Sequence, residues 1–192
     1  NYKNLCLGLF IFTIGLVKKA IIADKFAIWV GDGFDSANNL TLLTSWLVSF
    51  CYTFQLYFDF SGYCDMAVGS ALFFNIKLPI NFNSPYKALS IKDFWRRWHI
   101  TLGRFFREYV YIPLGGNRYK PIRNIFIVWM LTGFWHGSSW NFIFWGLFYG
   151  VLLFIEKTLF RQKLLKIPAP FCYLYTMFFV MMGWGLFYFT DI

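Results

Sequence analysis

Charge is what this sequence has least of. Asp, Glu, Lys and Arg together make up 14% of the 192 residues, where soluble domains carry about 25%. That excludes a water-facing surface over most of the chain and points to lipid as the solvent. Histidine is scarcer still, with only His99 and His136. Two histidines without His/Cys spacing argue against a metal site. Cys6, Cys51, Cys64 and Cys172 are scattered, no pair has CxxC spacing, and buried, inert thiols are expected. No GxSxG, HExxH or P-loop pattern occurs, so the hydrolase, zinc-peptidase and nucleotide motifs are absent. No charged start leads to a small-residue cleavage site, so no signal peptide is read. The chain starts at Asn1, and it is expected to be part of something longer.

Apolar and aromatic residues are abundant, at 58% and 24%. The net charge of +9 does not imply nucleic acid, because a nucleic-acid footprint needs an exposed polar face. The basic residues instead cluster between apolar runs, as at the cytoplasmic ends of membrane helices. The expected fold class is therefore all-α, a multi-span transmembrane helical protein with interfacial or re-entrant amphipathic helices, in one domain over 1–192.

Residues 5–17 are apolar and end at Lys18-Lys19, whose side chains can snorkel. The pattern resumes to Val30, and GDGFDSANN (31–39) predicts a loop. Residues 40–58 form a chargeless span followed by FDFSGYCDMAVG. Asp59 and Asp65 there are costly beside a membrane helix unless paired or hydrated, and Ser61-Gly62 is a candidate kink. Residues 79–92, with two prolines, predict a loop, placed on the cytoplasmic side by Lys77, Lys87 and Lys92. Ser90, three residues before Asp93, marks a helix start. Residues 111–121 are turn-rich. Residues 124–155 carry no charge and would rise about 48 Å as one helix, too long for a ~30 Å core. GFWHGSSWN therefore predicts a break near His136. A basic patch, Lys157, Arg161, Lys163 and Lys166, precedes a last span after Pro170.

Residues 93–110 read as one amphipathic basic helix at the cytoplasmic interface. At 100° per residue, Trp95, Trp98, Leu102, Phe105 and Phe106 share a face, and His99 falls at its border. His99 is open to two readings, an interfacial histidine packed against neighbours or a proton-transfer group. His136 is polar in uncharged sequence. It is either a functional ionisable group at membrane depth or a core histidine satisfied by Ser138 or Asn141. Imidazole suits proton transfer near neutral pH, as acyl transfer to a hydroxyl requires.

Taken together, FDFSGYCDMAVG, LPINFNSPY, DFWRRWHITLGRFFREYVYIPLGGNR and GFWHGSSWNFIFWG resemble the membrane-bound O-acyltransferase family. The likeness is to its bacterial branch that acetylates alginate and peptidoglycan, with the teichoic-acid D-alanyl branch more distant. It runs from about residue 5 to the end, the central to C-terminal part of a longer family chain. One departure is Ile80, where the family's LPxNFNSPY motif leads one to expect an acid. The resemblance implies a multi-pass enzyme of the bacterial cytoplasmic (inner) membrane. A thioester donor, acetyl-CoA or an acyl carrier protein thioester, would enter from the cytoplasm. The acyl group would pass to a polysaccharide acceptor, directly or through an extracytoplasmic partner protein, with no bound cofactor, metal or nucleic acid. The family's histidines map onto His136 as the base or acyl-handling residue and onto His99 as its companion. Trp95, Arg96, Arg97 and Trp98 would shape the mouth, with Trp135 and Asn141 also contacting substrate. IPLGGNR favours acetyl over D-alanyl.

Two other classes stay in play. An anion transporter would use Arg96, Arg97, Arg104 and Arg107 at its mouth and broken helices around GFWHGSSWN. A scaffold would recruit an extracytoplasmic acetyl-transferring partner without chemistry of its own.

Overall fold

The computed structural model describes residues 1–36, 39–160 and 167–189. Arg161, Lys163 and Lys166 of the expected basic patch lie outside the described residues. Among the described residues every regular element is helical, eight α-helices with short π and 3₁₀ segments. The chain divides into two compact units, residues 1–81 and residues 82 onward. Two helical stretches, Tyr2–Asp35 and Ala169–Tyr188, are long and apolar enough to cross a membrane.

The first unit is a helical hairpin. α1 (Tyr2–Leu16) runs into a π-helical segment, Val17–Ala23, and on into α2 (Asp24–Asp35). The expected loop from residue 31 is thus corrected: the helix continues to Asp35, because Gly33 lets it press against Val48. α3 (Leu42–Phe73) returns as one helix of 32 residues, with Thr41 as its N-cap. It runs unbroken through Ser61-Gly62, which corrects the expected kink. The physical reason is contact rather than bending. A Cβ at Gly15 would sit 2.6 Å from the Gly62 carbonyl oxygen, and one at Gly8 would sit 2.7 Å from the Gly69 carbonyl oxygen. Two antiparallel glycine pairs therefore let the backbones touch, the small-residue packing that membrane helices use in place of hydrophobic drive.

The acids of α3 are paired. Lys18 Nζ lies 2.5 Å from Asp65 Oδ2, and Lys19 bridges Asp59 and, at 3.1 Å, Asp24. The π-helical turn carries both lysines. This pairing meets the requirement that acids beside a membrane helix be paired or hydrated.

The second unit holds α4 (Ile91–Arg97), α5 (Ile100–Phe106), α6 (Pro121–His136), α7 (Trp140–Thr158) and α8 (Ala169–Tyr188). Ser90 caps α4 by accepting from the Asp93 N–H at 3.0 Å. α6 and α7 form the hairpin expected from the overlong uncharged run, with the break at Gly137–Ser139. Gly133 and Gly146 let them touch. A Cβ on Gly133 would collide with the Phe142 carbonyl oxygen, and one on Gly146 with the Trp129 carbonyl oxygen.

Candidate active site

The segment 93–110 is not one helix. α4 ends at Arg97, and His99 takes a left-handed conformation, φ 46° and ψ 54°, before α5 begins. A π-helical segment, Arg107–Tyr111, follows. The single wheel is thereby corrected: residues on either side of His99 do not share one face. Of the residues placed on that face, Trp98 and Phe106 are buried, whereas Phe105 is 51% exposed.

The N-terminus of α4 is fixed by a residue far away in sequence. The Glu156 carboxylate, on α7 and 7% exposed, accepts from the Ile91 N–H at 2.7 Å and the Lys92 N–H at 3.0 Å. Those two N–H groups open the helix and have no partner within it. The following loop is fixed by Asn124. Its buried amide nitrogen lies 3.2, 3.0 and 2.7 Å from the carbonyl oxygens of Leu114, Gly116 and Tyr119. Gly115 and Gly116 adopt positive φ there, which glycine accepts without strain.

The predicted site residues then fall into place individually. Trp95 packs edge-on against Trp129, Trp145 and Tyr149, at centroid distances of 4.8, 5.5 and 4.7 Å. Trp98 is buried against Phe94 and Trp184, at 5.7 and 4.9 Å. Both tryptophans therefore face the core of this unit. Arg96 is exposed. Arg97 is tied down by Asp93, Nε to Oδ2 at 2.9 Å, and by the Asn83 carbonyl. Of the two arginines expected at a mouth, one is thus engaged in holding its own helix.

His99 and His136 come from different elements and meet around one side chain. The His99 ring lies 6.0 Å from Trp135, and Trp135 lies 4.9 Å from the His136 ring. The two imidazoles are near enough for the charge of one to act on the other. Burial pushes His99 down from its ordinary value to about 4, so it is neutral at physiological pH. A neutral imidazole can accept a proton.

His136 ends α6 and is ringed by Trp135, Phe142, Trp145 and Phe187, with centroids 4.9 to 6.1 Å away. Asn141 is fully buried on α7. Its amide nitrogen donates to the Phe187 carbonyl at 3.2 Å, and its Oδ1 has no hydrogen-bond partner. Asn141 Oδ1 therefore does not satisfy His136, which removes one half of the packing reading. Trp135 is 56% exposed. Among the described residues, no group of three or more His, Cys, Asp or Glu side chains could hold a metal.

Sequence reading missed Glu156, Asn124, Trp129, Trp145, Tyr149 and Trp184. A signal existed for some of them. Asn141, Trp145, Tyr149 and Glu156 recur at helical spacing on one face of α7, and all four are buried.

Residues 1–192 match the model of the family described as MBOAT, membrane-bound O-acyltransferase family. The chain is similar to the peptidoglycan O-acetyltransferase of Helicobacter pylori, 55% identical over 193 residues, 97% of this chain and 37% of that protein. It is similar to a probable alginate O-acetylase, AlgI, of Azotobacter vinelandii, 42% identical over 179 residues, 92% of this chain and 36% of that one. A teichoic acid D-alanyltransferase of Bacillus subtilis is 35% identical over 158 residues, 75% of this chain and 40% of that protein. The chain thus spans little more than a third of the length of the first two relatives. Four sequence motifs, an all-helical fold and a match along the whole chain agree: this chain belongs to the membrane-bound O-acyltransferase family.

Proposed function

We propose that this chain forms the catalytic core of a membrane O-acyltransferase acting on a cell-envelope polysaccharide. It moves an acyl group, acetyl in the favoured reading, from a cytoplasmic thioester donor across the bacterial inner membrane. The donor is acetyl-CoA or an acyl carrier protein thioester. The acceptor is reached directly or through an extracytoplasmic partner protein. Both units serve one multi-pass domain.

The observation that carries this reading is the pairing of the chain's only two histidines around Trp135. They stand 37 residues apart, and the fold brings His99 to 6.0 Å from Trp135, the residue that precedes His136 in the chain. His136 takes the hydroxyl proton as the acceptor oxygen attacks the thioester carbonyl. His99 positions the donor or shares the proton. Trp135 faces the substrate, Trp95, Trp98 and Asn141 back the site from the core, and Arg96 and Arg97 stand at the rim. Acetyl is favoured over D-alanyl by the higher identity to the two acetylating relatives.

The test uses the full-length protein in liposomes supplied with radiolabelled acetyl-CoA. The expected result is thioester consumption that His136→Ala abolishes at unchanged protein content. Solute flux without thioester consumption would instead identify a transporter and refute the reading.

A further inference from the structure

We infer that the indole N–H of Trp145 is a catalytic hydrogen-bond donor, placed to hold the acyl oxygen as charge develops on it. The inference deepens the reaction proposed above and rests on it. Attack of a hydroxyl on a thioester turns the carbonyl oxygen into an oxyanion, and acyl-transfer sites commonly lower that barrier with preorganised donors. The donor must be close to the base, buried, and not already engaged.

The neighbours of His136 can be taken one by one. Its ring contacts are Trp135, Phe142, Trp145 and Phe187. The two phenylalanines have no polar atom. Trp135 is 56% exposed, so its N–H competes with solvent or lipid headgroups. Trp145 is 1% exposed, and its ring stands 5.1 Å from that of His136 at 82°. Its Nε1 is buried without a hydrogen-bond partner. Asn141, one turn earlier on the same helix, has its amide nitrogen held by the Phe187 carbonyl at 3.2 Å, and its unpaired Oδ1 is an acceptor, which cannot stabilise an oxyanion. Trp95, Trp184 and Tyr149 also carry unpaired buried polar atoms. Their rings contact Trp145 rather than His136. A buried donor left unpaired costs about 1–3 kcal/mol, which a role in the reaction accounts for.

The step balances. The acceptor hydroxyl oxygen bonds to the thioester carbon, and His136 takes the hydroxyl proton. The carbonyl π pair moves onto oxygen, which accepts the Trp145 N–H. Collapse re-forms the carbonyl and breaks the carbon–sulfur bond. The departing thiolate takes the proton from the His136 imidazolium, so the products are ester and thiol.

The experiment compares full-length wild type, Trp145→Phe and Tyr149→Phe in proteoliposomes, with acetyl-CoA as donor. A further variant replaces Trp145 by benzothienylalanine, which keeps the indole shape but has sulfur in place of the N–H. The two Trp145 variants are expected to lose about 100- to 1,000-fold in kcat with KM for the thioester changed by less than about threefold. Tyr149→Phe, which removes an unpaired hydroxyl one turn away, is expected to stay within about threefold of wild type. If Trp145→Phe fails to accumulate, the shape-preserving variant decides. Wild-type kcat in that variant, with His136→Ala inactive, overturns the inference while leaving the proposed reaction standing. An equal loss in Tyr149→Phe also overturns it. Absence of thioester turnover in wild type refutes the reaction and the inference together.

Discussion

Replacing Glu156 by alanine should release the N-terminus of α4 while leaving α6 intact. The carboxylate accepts two backbone hydrogen bonds, at 2.7 Å from Ile91 and 3.0 Å from Lys92. Ile91 is fully buried and Lys92 is exposed, so the two losses differ. The Ile91 N–H would be stranded without water, at about 1–3 kcal/mol, and the Lys92 N–H would lose about 1 kcal/mol after finding solvent. The sum is about 2–4 kcal/mol. At 1.4 kcal/mol per factor of ten, local opening of α4 should rise about 30- to 700-fold. Hydrogen–deuterium exchange on the full-length protein reads this directly. Amides of 91–97 should lose protection by that factor, and those of 124–134 should not change. Glu156→Gln, which keeps one acceptor oxygen, should fall between the two. Unchanged exchange over 91–97 in Glu156→Ala would refute the clamp.

Three further outcomes follow from the geometry. Gly15→Val should cost about 1–3 kcal/mol by forcing α1 off α3, seen as reduced membrane abundance, whereas Gly31→Ala should be silent because a Cβ there meets nothing within 4 Å. Lys18→Met should lower abundance by stranding Asp65, and Lys18→Met with Asp65→Leu should recover part of it, since the pair and not either charge is what the hairpin tolerates. His99 is held neutral with its pKa lowered to about 4 from the ordinary 6.5. The unfolded chain therefore binds more protons between those values, and stability falls as pH drops from about 6.5 to 4. Melting of His99→Asn should lose fewer degrees over that window than wild type.

The helical hairpin around His136 was legible because a chargeless run too long for one span must break, and Gly137, Ser138 and Ser139 mark where. The start of α4 was legible because Ser90 and Asp93 are a local signal. The left-handed turn at His99 was not, since no glycine or proline announces it and the apolar period continues across it. The unbroken course of α3 was equally hidden. Ser61-Gly62 looks like a weakness in isolation and becomes a contact only once Gly15 is opposite. Glu156 reads as the polar end of a span until the N–H groups it caps, 64 and 65 residues away, are in view. Of the site itself, both histidines and Asn141 were visible as polar residues in apolar text. Trp145 was legible as a buried position on α7 but not as a donor, because a buried indole in a chain this aromatic looks like packing until its N–H is found unpaired on a ring that packs against His136.

Acetylation of the envelope polysaccharide in cells tests the central claim most directly. The full-length protein would be compared with its His136→Ala and His136→Gln variants at matched membrane abundance. The account predicts that both variants lose polymer-bound acetyl groups. Undiminished acetylation in either variant would contradict it.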